Sequence, residues 1–120
     1  MRVLIVESDP DLARIWARHM ARRGAVVATA TVQAEAVEVL SDTPVDIIVL
    51  DLVLADGSAF AVADFASYRR PAARVIFVTN TSFFSDGSIF RHIPNACAFL
   101  PSGMAPEDLA AVIDHYGVVQ

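Results

Sequence analysis

Lysine does not occur in this sequence of 120 residues, and arginine supplies all nine basic side chains. The fourteen acidic residues leave the chain with a net charge of −5 at neutral pH. Proteins that bind nucleic acid need a surplus of cationic side chains to contact phosphates, so this balance argues against nucleic acid as a direct partner. A site that depends on a lysine ammonium group cannot be complete in this chain.

Cysteine occurs once, at position 97, which excludes an internal disulfide and suits a reducing cytoplasm. No apolar run is long enough to span a membrane, and the first predicted strand begins at Arg2, which leaves no room for a signal peptide. The sequence also lacks linkers, repeats and low-complexity segments. We therefore expect one cytoplasmic domain over residues 1–120, with no output domain and no membrane contact.

What is abundant is apolar sequence in short runs. Runs of strand length occur at 3–6, 25–28, 45–52, 74–79 and 96–100, and most of them show no alternation of polar and apolar residues. Continuous apolar runs are typical of parallel strands that are buried on both faces. Their alternation with helical segments predicts an α/β fold, in which helices cover both faces of a parallel sheet.

The predicted helices have recognisable starts. Asp9 and Pro10 are typical of an N-cap and first helical position, Thr31 and Ser58 predict further N-caps, and Pro106 begins the last helix. The third helix is expected over residues 59–68, and the segment 80–94 is compatible with a short helix. Residues expected to point inward are Leu12, Ile15, Trp16 and Met20 in the first helix and Val37 and Leu40 in the second.

Asp51 is the first candidate for function. It ends the apolar run at 45–52, and a carboxylate there would stand at the C-terminal edge of the sheet, where open α/β folds bind ligands. Glu7 follows the first strand and Thr79 ends the fourth, so both belong to the same edge. The sequence thus predicts a polar site built from strand ends.

Four segments in order and spacing resemble a known family. They read LIVESDP at 4–10, DIIVLDLVL at 46–54, VIFVT at 75–79 and AFLPS at 98–102. Together they resemble the CheY-like receiver domains of response regulators in bacterial two-component systems. The resemblance implies a single doubly wound sheet of five parallel strands in the order 2-1-3-4-5.

The resemblance also implies roles for individual residues. Asp51 would accept a phosphoryl group from a sensor histidine kinase or a histidine phosphotransfer protein. Magnesium would be held by Glu7, Asp51 and the backbone carbonyl of Val53, with Ser8 or Asp9 as a candidate for a further ligand, and no organic cofactor is expected. Thr79 would contact the phosphoryl group, and the aromatic ring of Phe99 would change rotamer on switching. Such a domain is not an enzyme, apart from slow autophosphorylation and autodephosphorylation.

Three positions depart from the family pattern. Ser8 stands where a second metal-binding acid is usual, Asp9 is better interpreted as a helix cap than as a metal ligand, and Ser102 stands at the usual lysine position. An acid and a base are both missing, so the formal charge of the pocket is unchanged. Our hypothesis is that they were lost as a compensating pair, which would weaken magnesium binding.

Other functions remain open alternatives. A pseudo-receiver would keep the fold and dock to a protein target without phosphorylation of Asp51. A flavodoxin-like nucleotide binder is less favoured, because the segment after the first strand is acidic and would repel a phosphate. Finally, Phe83, Phe84 and Phe90 predict a protein contact, such as a homodimer through the fourth-helix to fifth-helix face of the family, because adjacent phenylalanines cannot both face inward.

Overall fold

The computed structural model describes residues 1–79 and 93–118, with only the backbone at Val118. The five strands are all parallel and lie in the order β2-β1-β3-β4-β5, which confirms the predicted α/β sheet. The strands are β1 (Arg2–Val6), β2 (Val26–Ala30), β3 (Ile47–Asp51), β4 (Arg74–Thr79) and β5 (Ala96–Pro101). The helices within the described ranges are α1 (Pro10–Arg22), α2 (Gln33–Asp42), α3 (Ala59–Arg69) and α4 (Pro106–Val118).

The sheet separates two apolar layers. Helices α1 and α4 pack on one face around Trp16, Leu109 and Ile113, whereas α2 and α3 pack on the other face around Leu40 and Val62. The central strands β1, β3 and β4 contribute side chains to both layers, and most of these are fully buried. The continuous apolar runs of the sequence are explained by this burial on both faces.

Helix α1 begins as predicted. Oδ1 of Asp9 accepts hydrogen bonds from the backbone N–H groups of Asp11 and Leu12, at 3.0 and 3.4 Å, and Pro10 is the first helical residue. The prediction of the inward face of α1 was partly wrong, because Ile15 is 42% exposed while Ala13 is buried. Ala13, Trp16 and Met20 recur at i, i+3 and i+7 and form the stripe that packs against the sheet, and Ile15 lies outside this stripe.

Two predictions about α2 were also wrong. The N-cap is Val32, not Thr31, and the Thr31 hydroxyl and N–H instead donate to Oε1 of Glu35 at 2.9 and 2.8 Å. Val37 is only half-buried, and the fully buried positions are Ala36 and Leu40. As in α1, an alanine occupies the face closest to the sheet.

Strand β5 contains a register shift. Val75 of β4 pairs with Ala96, and Ile76 pairs with Ala98, so Cys97 is an extra residue on the β5 side. Such a bulge interrupts the alternation of side chains between the two faces of a sheet. Cys97 and Ala98 therefore both pack in the α1/α4 layer, and Phe99 packs in the α2/α3 layer.

Strand β2 and helix α3 lie close to their predicted positions. Strand β2 lies slightly later than the predicted 25–28, and α3 begins at the predicted Ser58 cap, whose hydroxyl accepts from the N–H of Ala61. None of the described helices has the length and apolar character that a membrane span requires. Phe83, Phe84 and Phe90, with most of the segment 80–94, lie outside the described residues.

Candidate functional site

Asp51 is the last residue of β3 and is partly exposed at the C-terminal edge of the sheet. The four residues before it are fully buried and pair with β1 on one side and β4 on the other, which fixes the direction in which the strand ends. Its Oδ1 accepts a hydrogen bond from the N–H of Val53 at 3.1 Å. The predicted site residue thus stands at a sheet edge, with its carboxylate held by the loop that follows.

Glu7 directly follows β1, beside Asp51, and only 4% of it is exposed. Burial raises the pKa of the Glu7 carboxyl to about 7, with further increases from a side-chain hydrogen bond to Asp51 and from the charges of Asp51 and Asp9. The N–H of Asp9 donates to Oε2 of Glu7 at 3.1 Å and lowers the pKa of Glu7, but by less than burial raises it. With a pKa of about 7, the Glu7 carboxyl is partly protonated at neutral pH, so it adds less than a full negative charge beside Asp51.

Ser8 is half-buried, and its hydroxyl connects two loops. Oγ accepts a hydrogen bond from the N–H of Ala55 at 2.7 Å and donates to the carbonyl oxygen of Thr31 at 3.4 Å. The sequence placed Ser8 in the site but did not predict these contacts. Asp9, in contrast, caps α1 as expected.

Thr79 ends β4, the strand next to β3, and is buried. The register pairs Asp51 with Val78, so Thr79 stands one residue beyond the level of Asp51. The backbone carbonyl of Thr79 accepts from the N–H of Ser102 at 2.9 Å, which holds the start of the β5–α4 loop against β4. Asp51, Thr79 and Ser102 therefore belong to neighbouring strand ends along one edge.

Phe99 is half-buried in β5, and its ring lies against Phe77, with ring centroids 6.4 Å apart. Phe77 is fully buried and also contacts Phe60 of α3, at 6.2 Å between centroids. The aromatic side chain singled out in the sequence is thus part of a row of three rings. The row runs from β5 through β4 to the surface of α3.

The residues present fit a typical magnesium site poorly. Receiver domains typically bind this ion at the acidic site, where a hard cation takes oxygen ligands. In residues 1–79 and 93–118, no cluster of three or more His, Cys, Asp or Glu side chains could hold a metal ion. The Asp9 carboxylate and the Ser8 hydroxyl both make hydrogen bonds within the protein, and Glu7, with a pKa raised to about 7, is partly protonated at neutral pH.

The family model of the response regulator receiver domain matches residues 3–113. Among curated proteins, the chain is similar to the photosynthetic apparatus regulatory protein RegA of Cereibacter sphaeroides, with 32% identity over 77 residues. The match covers 64% of this chain and 42% of RegA, so the chain spans less than half the length of that relative.

Solved structures show the same fold. A CheY-like response regulator receiver domain protein from Methanospirillum hungatei JF-1 has a TM-score of 0.87 and 22% identity, over 97% of this chain and 92% of that one. A response regulator protein from Burkholderia pseudomallei, crystallised with a phosphorylated aspartic acid, a calcium ion and citrate, has a TM-score of 0.80 and 19% identity, over 98% and 72% of the two chains. At such low identity the likeness concerns the fold alone.

Proposed function

The chain belongs to the response regulator receiver family, and on this premise we propose that Asp51 accepts a phosphoryl group from a histidine kinase or a histidine phosphotransfer protein. The observation that carries the proposal is the position of Asp51, which is partly exposed at the end of a buried strand and lies beside the buried Glu7. A similar fold from Burkholderia pseudomallei holds a phosphorylated aspartic acid, which supports the same chemistry here.

The proposed transfer uses groups of this chain. An oxygen of Asp51 forms a bond to phosphorus while the bond from phosphorus to the donor histidine nitrogen breaks, and that nitrogen keeps the electron pair. Positioning and charge neutralisation provide most of the catalysis in phosphoryl transfer. The N–H of Val53 orients the Asp51 carboxylate, and partial protonation of Glu7 limits the negative charge that the incoming phosphoryl group meets.

Two residues would respond to phosphorylation. In the proposed mechanism the Thr79 hydroxyl donates a hydrogen bond to a phosphoryl oxygen, and Phe99 changes its rotamer. The contact of Phe99 with Phe77 supports this proposal, because a movement of one ring must be accommodated by the other in a packed layer. Ser102, at the usual lysine position, offers a hydroxyl and no positive charge.

Magnesium binding is proposed to be weak and to require deprotonation of Glu7. The backbone carbonyl of Val53 and the two carboxylates are the available ligands. Receiver domains are generally not enzymes, and we propose no turnover here beyond slow autophosphorylation and autodephosphorylation. The proposed partners are the phosphodonor protein and a downstream protein target, and a homodimer through Phe83, Phe84 and Phe90 is a further proposal.

The experiment that tests the function is incubation with phosphoramidate, with and without magnesium, followed by intact mass measurement. We expect one added phosphoryl group, absent in Asp51→Asn and retained in Asp56→Asn, a matched loop aspartate. Addition to Asp51→Asn would contradict the assignment of the acceptor.

A pseudo-receiver is the second candidate. It is supported by the replacement of the lysine by Ser102 and by the engagement of Ser8 in loop contacts. Removing one charged or hydrogen-bonding group from a transition state commonly costs about 3–4 kcal/mol, which is enough to make phosphorylation slow. Failure of phosphorylation by phosphoramidate and by a panel of phosphorylated histidine phosphotransfer proteins would favour this candidate.

A further inference from the structure

The loop that follows Asp51 is held by one side chain from the β1–α1 loop and one from the first residue of α2. We refer to residues 52–58 as the acceptor loop. The Ser8 hydroxyl accepts the N–H of Ala55 at 2.7 Å, and Oε1 of Gln33 accepts the N–H of Ser58 at 2.8 Å. The N–H of Gln33 also donates to the carbonyl of Asp56 at 3.3 Å. Gly57, with φ of +94°, lies so close to Gln33 that a Cβ at residue 57 would be 2.3 Å from the Cβ of Gln33.

These contacts differ in their distance along the chain from Asp51. Gln33 holds the far end of the acceptor loop, next to α3. Ser8 holds Ala55, which is two residues after Val53, and the N–H of Val53 is the group bonded to Oδ1 of Asp51. The chain of contacts Ser8–Ala55–Val53–Asp51 therefore links a hydroxyl on the β1–α1 loop to the orientation of the Asp51 carboxylate.

Serine suits position 8 better than aspartate or alanine would. Its hydroxyl can accept from Ala55 and donate to the carbonyl of Thr31 at the same time, which an ionised aspartate cannot do because it only accepts. An aspartate would also add a negative charge next to Glu7 and Asp51. An alanine would leave the N–H of Ala55 without this acceptor.

We propose that Ser8 is a positioning residue for Asp51, which it orients through Ala55 and Val53, at the place where receivers usually carry a metal-binding acid. The kinetic part of this proposal rests on the function proposed above, and the conformational part does not. Ser8 contacts no reacting atom. Its hydroxyl does for the acceptor loop what a bound cation would otherwise do, since it restricts the loop before a phosphodonor arrives.

The test compares Ser8→Ala and Ser8→Thr with Ser67→Ala. Ser67 is the matched control because its hydroxyl donates only to the carbonyl of Asp64 within α3, away from the site. Amide hydrogen exchange at Ala55 and Val53 reports the loop. Phosphorylation by phosphoramidate over a range of concentrations, followed by intact mass, separates the limiting rate from the half-saturating concentration.

We expect Ser8→Ala to accelerate exchange at both amides and to lower the limiting phosphorylation rate, each by about fivefold, as the loss of one neutral hydrogen bond predicts. The half-saturating concentration should not change, Ser8→Thr should restore both quantities, and Ser67→Ala should affect neither. Unchanged exchange in Ser8→Ala, or an effect that threonine does not rescue, would overturn the proposal. If the parent chain is not phosphorylated, the proposed function fails, while exchange at Ala55 and Val53 still decides whether Ser8 positions Asp51.

Discussion

At the scale of single residues, Glu7 is the group of the site whose charged form is most disfavoured by its surroundings. It is almost fully buried, it lies beside a second carboxyl, and it has no lysine nearby because the chain contains none. Burial disfavours the charged form of Glu7, and protonation of Glu7 relieves the repulsion from Asp51. Protonation of Glu7 therefore stabilises the pocket when no cation is bound.

The raised pKa of Glu7 predicts a dependence of stability on pH. In the unfolded chain the carboxyl loses its proton near 4.5, and in the folded chain near 7. Between these values the folded state binds more protons, so the free energy of unfolding falls as pH rises through this window. Glu7→Gln should be more stable than the parent at about pH 8 by roughly 1–3 kcal/mol, with the difference shrinking toward pH 4.5. Urea titrations at several pH values measure this, with the exposed Glu38→Gln as control. An equal gain at all pH values would contradict the assignment.

The hypothesis of compensating losses predicts how Ser8 and Ser102 interact. Ser8→Asp alone adds a carboxylate beside Glu7 and Asp51, so in the presence of a chelator it should lower the free energy of unfolding by roughly 1–2 kcal/mol. Ser102→Lys on the same background should restore that loss, and the double variant should bind magnesium more tightly than the parent. Calorimetric titration and urea unfolding provide the two measurements.

Ala72→Asp, on an exposed turn before β4, is the control for an added charge elsewhere. If Ser102→Lys gives the same stability change with and without Ser8→Asp, the two positions are independent and the hypothesis is wrong.

At the scale of elements, helix α1 uses the Asp9 carboxylate as its N-cap, so this carboxylate does not serve the pocket. The helix needs an acceptor for its first N–H groups, and Asp9 provides it to Asp11 and Leu12. The carboxylate also benefits from the positive end of the helix dipole. The start of α1 thus competes with a metal ion for the Asp9 side chain. In this structure the side chain caps the helix.

Substitution of Asp9 can show whether its side chain caps α1 or binds a metal ion. Asp9→Ala should lower the free energy of unfolding by about 1 kcal/mol, whereas Asp9→Asn should be close to the parent because asparagine also caps helices. Both variants should leave magnesium affinity unchanged. A loss of affinity in Asp9→Asn, with stability retained, would identify Asp9 as a metal ligand instead.

At the scale of the whole molecule, the two apolar layers share one sheet, and this predicts a single cooperative unfolding transition. Leu40 lies in the α2/α3 layer, and Trp16 lies in the α1/α4 layer. Leu40→Ala should cost about 2–5 kcal/mol, and Trp16 fluorescence should report the same shift of the urea midpoint as circular dichroism. Separate midpoints for the two signals would show that the layers unfold independently. Leu54→Ala is a milder comparison, since Leu54 is only partly buried against the same layer.

The sequence predicted the sheet, the caps of α1 and α3 and the group of polar strand ends, because apolar runs and capping residues are local signals. It misjudged Ile15 and Val37, because apolar residues occur on more than one side of these helices, and hydrophobicity alone does not show which side packs against the sheet. The raised pKa of Glu7 and the contacts of Ser8 could not be predicted, since both depend on burial and on loops that meet only in the folded chain.

The bulge at Cys97 has a consequence for how this domain tolerates changes in length. Two neighbouring residues, Cys97 and Ala98, face the same layer, and this keeps Phe99 opposite Phe77 despite the extra residue. Deletion of Cys97 would remove the bulge and restore strict alternation, with Ala98 still in the α1/α4 layer and Phe99 still in the α2/α3 layer. The bulge therefore accommodates one additional residue without moving the ring, so a relative that is one residue shorter at this point would present the same aromatic to the same helices.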